Sequence, residues 1–300
     1  MSEVALLSRA NSNSNSMVGT LERVLVCSPQ NAGWSDRQVS SHWKELGFSH
    51  APNFQQAQKQ HDALCRELQQ AGAEVVCLPA SESFSLDAVY AHDSSLPTNF
   101  GVVLMNPGKP NRRAEAQEHH KSYEKLGISV LGQIEAPGTC EAGDMVWLDA
   151  ATLLVGRGYR TNASGIEQVR SLLAPKGVEV VAAPLPHGVG PSACLHLMSL
   201  ISLLDERTAV VDLSWLAVET VELLRQRGYD FIEIDSSERD SLACNVLSFG
   251  DRRLLALAEN KNTNGRLREA GFDVRTFSGS ELCINGSGGP TCLTRPFQRS

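Results

Sequence analysis

Beyond its first twenty residues the chain repeats one arrangement of polar and apolar positions. A polar stretch with apolar residues at helical spacing leads to a glycine and then to a short β-rich run. In the first copy Ala63, Leu64 and Leu68 share one face of a helix predicted from about Gln55 to Gln70. Ala71 and Gly72 close that helix, and Glu74 to Leu78 reads as a strand. The other copies turn at Gly127, Gly177, Gly228 and Gly271, so the five glycines are spaced 55, 50, 51 and 43 residues apart. A glycine just past a helix suits the left-handed backbone that closes it, because no Cβ opposes that conformation. Paired apolar runs between copies, such as Met145 to Val155 and Val246 to Leu257, predict hairpins. One such unit cannot bury a core alone, so the five are expected to pack around a shared axis as an α/β structure. An ordinary open α/β sheet is the simpler alternative. It lacks a phosphate-binding loop here, since Gly156-Arg157-Gly158 follows a strand without the third glycine of the dinucleotide fingerprint.

With 300 residues, 42% of them hydrophobic, the chain can bury a sizeable core. Asn11 to Ser16 is the low-complexity run NSNSNS, which places a disordered tail at 1–17 and a single folded domain at 18–300. The formal net charge of −7 argues against nucleic acid or an anionic membrane as partner, leaving a small molecule as the expected one. No apolar run reaches the roughly 18 residues of a membrane span, and the start has no secretory core, so a soluble cytoplasmic protein is expected. A homodimer is left open. The eight cysteines include no CxxC pair, and several lie in apolar runs, among them Cys27 and Cys77. They read as reduced, buried core residues rather than disulfides or zinc ligands. His119 and His120, in a polar helix-like stretch, read as solvated.

If the units are related by pseudo-symmetry, residues at like positions after each glycine converge near the axis. Asp93 follows Gly72 by 21 residues, Glu141 follows Gly127 by 14, His196 follows Gly177 by 19, Asn245 follows Gly228 by 17 and Cys292 follows Gly271 by 21. Each alone has a dull explanation: a buried filler cysteine, a satisfied core histidine, a carboxylate that shapes a turn or caps a helix. Together they are chemically coherent. A cysteine needs a base or cation nearby to be a thiolate, and a histidine oriented by a carboxylate is the usual partner. Two carboxylates beside them pair with a planar cation such as a guanidinium. No HExxH motif and no run of paired aspartates and histidines points to a metal, so neither metal nor cofactor is expected.

At these residues the chain resembles the guanidino-modifying enzymes of the pentein superfamily, and most of all the dimethylarginine dimethylaminohydrolases. The resemblance runs from about Arg23 to Phe297. It is carried by Asp87-Ala88-Val89-Tyr90-Ala91-His92-Asp93, Pro107-Gly108 with Arg112-Arg113, Glu141-Ala142-Gly143-Asp144, Arg160-Thr161-Asn162, Leu195-His196-Leu197 and Thr291-Cys292. It implies a five-bladed α/β propeller, five ββαβ units around a central cavity. It also implies roles: Cys292 as nucleophile, His196 as general acid and base, and Glu141 as the carboxylate that positions the imidazole. Asp93 would hold the guanidinium nitrogens, Asp87 the α-amino group, and Arg112 with Arg160 the α-carboxylate.

The implied reaction is thiol-dependent hydrolysis of an Nω-methylated arginine to citrulline and a methylamine through a covalent thiouronium. Arginine deiminase or dihydrolase activity, amidinotransfer, and a non-catalytic pentein binding protein are the alternatives. The chain departs from the family's motifs at two positions. His92 stands where many relatives carry glutamate, a change expected to alter substrate choice, and Ala142 replaces the first glycine of its pair, a change expected to be tolerated. Met198 occupies the slot where arginine deiminases generally carry a second aspartate, which suggests an apolar place for a methylated nitrogen. Gly286 to Gly289 reads either as plain turn or as a flexible approach that lets the thiol reach the substrate.

Overall fold

The computed structural model describes residues 13–191 and 195–300. Each repeat folds as an antiparallel hairpin, a helix and a third strand parallel to the second. The units run β3 (Ser95–Thr98), β4 (Gly101–Leu104), β5 (Val130–Gln133); β6 (Met145–Asp149), β7 (Thr152–Arg157), β8 (Glu179–Pro184); β9 (Ile201–Leu203), β10 (Thr208–Val211), β11 (Asp230–Glu233); and β12 (Leu247–Gly250), β13 (Arg253–Leu257), β14 (Asp273–Phe277). The fifth sheet joins the two ends of the chain. Its β15 (Arg295–Arg299) pairs antiparallel with β1 (Leu21–Val26), and β1 pairs in parallel with β2 (Glu74–Cys77). Closing the ring this way leaves no unit unpaired at the termini. The five sheets form the five-bladed α/β propeller that the resemblance implies, with the five units counted from the repeat.

Inside and outside follow from burial. Every residue of β3, β9 and β12 is buried, whereas β2, β5 and β11 keep exposed ends. The first hairpin strand of each unit therefore lines the axis and the third lies at the rim. The helices α1 (Phe54–Gln70), α2 (Glu115–Lys125), α3 (Ala163–Leu173), α4 (Val218–Gln226) and α5 (Lys261–Glu269) follow the middle strands. In α1 the buried face is Ala57, Gln60, His61, Leu64 and Leu68, at helical spacing. Asn53 caps it, its side chain accepting from the Gln56 amide at 3.0 Å. All five helix-closing glycines have positive φ, from 70° at Gly127 to 99° at Gly72. The left-handed turn is thus the reason for glycine at each repeat, since a Cβ at Gly72, Gly127 or Gly177 would meet no neighbour. No helix among the described residues is long and apolar enough to cross a membrane.

Three expectations need correction. Residues 13–17, assigned to the disordered tail, are seated across the end of the ring that carries the hairpin turns. Asn15 is buried; its side chain donates to the Ala150 carbonyl at 2.9 Å and accepts from the Asn99 amide at 2.9 Å. The Asn13 amide donates to the Arg299 carbonyl at 2.7 Å, and Thr20 and Ser300 exchange two backbone bonds. An amide side chain offers a donor and an acceptor as the backbone does, so a segment poor in apolar residues can be held by pairing with open turns. Residues 1–12 lie outside the described residues. His119 is buried rather than solvated, on the same face of α2 as Glu115 and Tyr123, with Ser95 Oγ 3.0 Å from its Nδ1; burial pushes its pKa down to about 3. Cys77 is exposed and Cys65 half-buried, while Cys27, Cys140, Cys244 and Cys283 are buried as expected. None of the seven described cysteines forms a disulfide, and Cys194 lies outside the described residues.

Candidate active site

Each inner strand is entered through a short segment at the end of the ring away from the hairpin turns, and those segments carry the residues singled out by repeat position. Asp93 precedes β3, Glu141 precedes β6, His196 precedes β9, Asn245 precedes β12 and Cys292 precedes β15. The inner strands surround the axis, so their entry points meet. They border a cavity of about 630 Å³ lined by Asp87, Asp93, Arg112, Arg160, His196, Asn245 and Cys292, among others. Glu141 is fully buried behind that lining, its Oε2 2.7 Å from His196 Nε2.

Backbone amides fix the acids. Glu141 Oε1 accepts from the Gly108 amide at 2.9 Å and lies 3.6 Å from Arg160 Nη1. Burial acts to raise the Glu141 pKa, but the hydrogen bond and charge of His196 outweigh it and hold the carboxyl below the usual carboxylate range. Asp93 accepts from the Gly143 amide at 3.1 Å on Oδ1 and from Arg112 Nη1 on Oδ2. Burial again opposes ionisation there, and the charges of His196 and Arg112 overcome it, keeping the group well below its ordinary value.

Gly143 has no room for a side chain. A Cβ there would stand 2.7 Å from Asp93 Oδ1 and 2.8 Å from His196 Nδ1. The neighbouring Asp144 faces inward, its Oδ2 accepting from Thr161 Oγ1 at 2.6 Å and its Oδ1 from the Leu197 amide at 2.9 Å. One carboxylate therefore ties the Glu141 segment to the His196 segment. Burial pushes its pKa up to about 6 against those bonds.

Asn245 Nδ2 donates to Cys292 Sγ at 3.1 Å, and Asn245 Oδ1 accepts from the Thr291 amide at 2.9 Å. Burial raises the pKa of Cys27, Cys65, Cys140, Cys244 and Cys283. Cys292 is half-buried and faces the cavity. The glycines before it serve close packing rather than flexibility. A Cβ at Gly286 or Gly288 would strike Tyr90, and one at Gly289 would stand 2.6 Å from Asn245.

The structure places some residues differently from the sequence reading. Arg112 donates Nε and Nη2 to Glu115 at 2.9 and 2.8 Å, Nη2 to the Tyr90 carbonyl at 2.8 Å and Nη1 to Asp93. Four of its five N–H groups are spent on the protein, and one on Nη1 has no partner among the described residues. Glu115, which no motif flagged, supplies that support; its position one helical turn after Arg112 was the available signal. Asp87 is met by Lys109 Nζ at 3.0 Å and Asn111 Nδ2 at 3.4 Å. Lys109, which also borders the cavity, was missed as well. His92 and Met198 do not border this cavity; both turn toward a smaller one on the axis, so neither is placed to choose the substrate as the sequence suggested.

Asp93, Glu141 and His196 each bring a ligand atom to within 4.8 Å of the others, a spacing a metal ion could use. Those atoms are engaged already: Glu141 with His196, Asp93 with Arg112. An ion there would face the Arg112 guanidinium across one carboxylate, so the donor set suits an organic cation better than a metal.

A family model described as N,N dimethylarginine dimethylhydrolase, eukaryotic, matches residues 35–299. The chain is 27% identical over 246 residues to N(G),N(G)-dimethylarginine dimethylaminohydrolase of Pseudomonas aeruginosa, covering 82% of this chain and 90% of that one. It is 30% identical over 213 residues to the enzyme of the same name from Streptomyces coelicolor, covering 69% and 73%. A solved structure of the Pseudomonas aeruginosa protein, a cysteine-to-serine mutant complexed with citrulline, superposes with a TM-score of 0.75 at 25% identity, covering 93% of this chain and all of the other.

Proposed function

The chain belongs to the N,N-dimethylarginine dimethylhydrolase family and is a hydrolase of carbon–nitrogen bonds in linear amidines, and on that premise we propose that its substrate is an Nω-methylated arginine, cleaved to citrulline and a methylamine. The observation that carries this reading is the convergence of Cys292 with its Asn245 donor, the His196–Glu141 pair and the Asp93 carboxylate on one cavity.

In this reading the Cys292 thiolate adds to the guanidinium carbon, forming a C–S bond. The Asn245 N–H stabilises negative charge on sulfur before attack. Glu141 fixes the ring of His196 through Nε2, and the imidazole is the group that exchanges protons with the reacting atoms. His196 protonates the departing amine as the C–N bond breaks, and a thiouronium remains on Cys292. His196, now neutral, takes a proton from water; the resulting hydroxide adds to the same carbon, the C–S bond breaks, and citrulline leaves with the thiolate restored. Asp93, held ionised by Arg112, pairs with the guanidinium nitrogens. Asp87 meets the α-amino group, and Arg160 with Lys109 and the remaining Arg112 N–H meets the α-carboxylate.

Cys292→Ser tests the reading directly. It is expected to remove citrulline formation by at least about 10³-fold, with an unchanged circular dichroism spectrum. Labelling of Cys292 by a haloacetamidine, one equivalent per chain and blocked by substrate, should accompany that loss. More than a few per cent of activity retained in the serine variant would end the thiol mechanism. Citrulline formed from unsubstituted arginine alone, or amidino transfer to glycine, would reassign the substrate.

A further inference from the structure

On the axis, between the substrate cavity and the seated N-terminal segment, lies a second cavity of about 20 Å³. Its lining includes His92, Trp147, Thr291, Arg295 and Arg299. All five side chains are at most 5% exposed. Each carries an atom with no hydrogen-bond partner among the described residues: His92 Nε2, Trp147 Nε1, Thr291 Oγ1, Arg295 Nε and Arg299 Nε. An indole N–H and a guanidinium Nε–H can only donate, and the threonine hydroxyl can. His92 donates through Nδ1 to the Thr294 carbonyl at 2.8 Å, and burial pushes its pKa down to about 3, so the ring is neutral and its Nε2 is the one acceptor among these five atoms besides the threonine hydroxyl.

The two arginines carry the argument. Arg295 Nη1 donates to the carbonyls of His92 and Ser95, and Arg299 Nη1 to those of Gly19 and Ser248. Neither meets a carboxylate among the described residues, and no Asp or Glu lines the cavity. Two buried positive charges with no carboxylate in contact are costly, and only the more distant charge of Asp93 offsets that of Arg295. Burial pushes the pKa of Arg295 down to about 10 and that of Arg299 down to about 9, the latter also under the charge of Arg295.

A water molecule could accept two of the orphaned N–H groups but would leave both charges uncompensated. Size limits the alternatives. One water needs roughly 10–15 Å³ measured in the same way, so the cavity holds a single particle of about that size and not sulfate or phosphate.

We propose that this axial cavity binds one monatomic halide, chloride in practice, held by the Nε–H groups of Arg295 and Arg299, the Trp147 indole and the Thr291 hydroxyl. The ion stands beside the nucleophile's support: Thr291 precedes Cys292, and the His92 amide donates to the Cys292 carbonyl at 3.0 Å.

Two measurements on the full chain decide it. Crystals soaked in sodium bromide should show an anomalous peak in the cavity. In solution, thermal stability should rise saturably with chloride at constant ionic strength, gluconate making up the balance, by several degrees at saturation. Arg299→Met should abolish the chloride dependence; if that variant does not fold, Thr291→Val should weaken the dependence. A water in the cavity after the soak, or stability that follows ionic strength alone, overturns the proposal. A bromide peak without saturable stabilisation means an adventitious ion only and overturns it too.

Discussion

At the cavity end of the ring, buried arginines stand against carboxylates: Arg112 against Asp93 and Glu115, Arg160 against Glu141. Farther along the axis Arg295 and Arg299 bond only backbone carbonyls, and at the opposite end the closing contacts are neutral amides such as Asn15. The difference separates two tasks. Paired charges in a low-dielectric setting orient groups that must meet a charged substrate, at the expense of desolvation. Neutral amide contacts close the ring without adding charge of their own. One end gathers the charged side chains of the candidate site, and the other holds the blades together.

That division can be broken experimentally. The largest effect is expected from Gly143→Ala, because the added methyl must displace both Asp93 and His196. A shift of about 1 Å in either should lower kcat by roughly 10²-fold, with a much smaller change in Tm. Wild-type kcat in steady-state assays of this variant would mean that the two groups need not sit where they do.

Asp144 gives an intermediate effect that depends on pH. Its folded pKa of about 6 lies above the ordinary aspartate value of about 3.9. The folded chain therefore holds this proton more tightly than the unfolded one, and stability from this group falls as pH rises from about 4 to 6, then levels. The loss is on the order of 2–3 kcal/mol. Asp144→Asn should escape it, so its Tm should rise relative to wild type between pH 4 and pH 7. A Tm difference that stays constant with pH would mean that Asp144 does not titrate in that window. Asp93 and Glu141, with lowered pKa values, act in the opposite sense. Their contribution is complete above the ordinary carboxylate range and is lost as pH falls below it.

The smallest effect belongs to the closing end. Asn15→Ala removes two buried contacts and should cost about 1–3 kcal/mol in denaturant unfolding, while kcat and KM stay within about twofold of wild type. A large loss of turnover in that variant would join the two ends functionally and undo the comparison.

The sequence by itself determined the fivefold repeat and the five positions that meet on the axis. The five glycines mark helix ends because only they accept the left-handed turn without strain, and their period places Asp93, Glu141, His196, Asn245 and Cys292 at the entries of the five inner strands. Those signals are local, set by one residue's backbone or one strand's start. Tertiary structure decided the partners. Arg112 is committed to Asp93 and Glu115, His92 and Met198 face the axis rather than the substrate cavity, and the asparagine-rich start is seated on distant turns. Each of these depends on where a side chain ends among atoms more than a dozen residues away or on which face of an element it leaves. A repeat pattern fixes the position of a Cα and leaves that choice to packing.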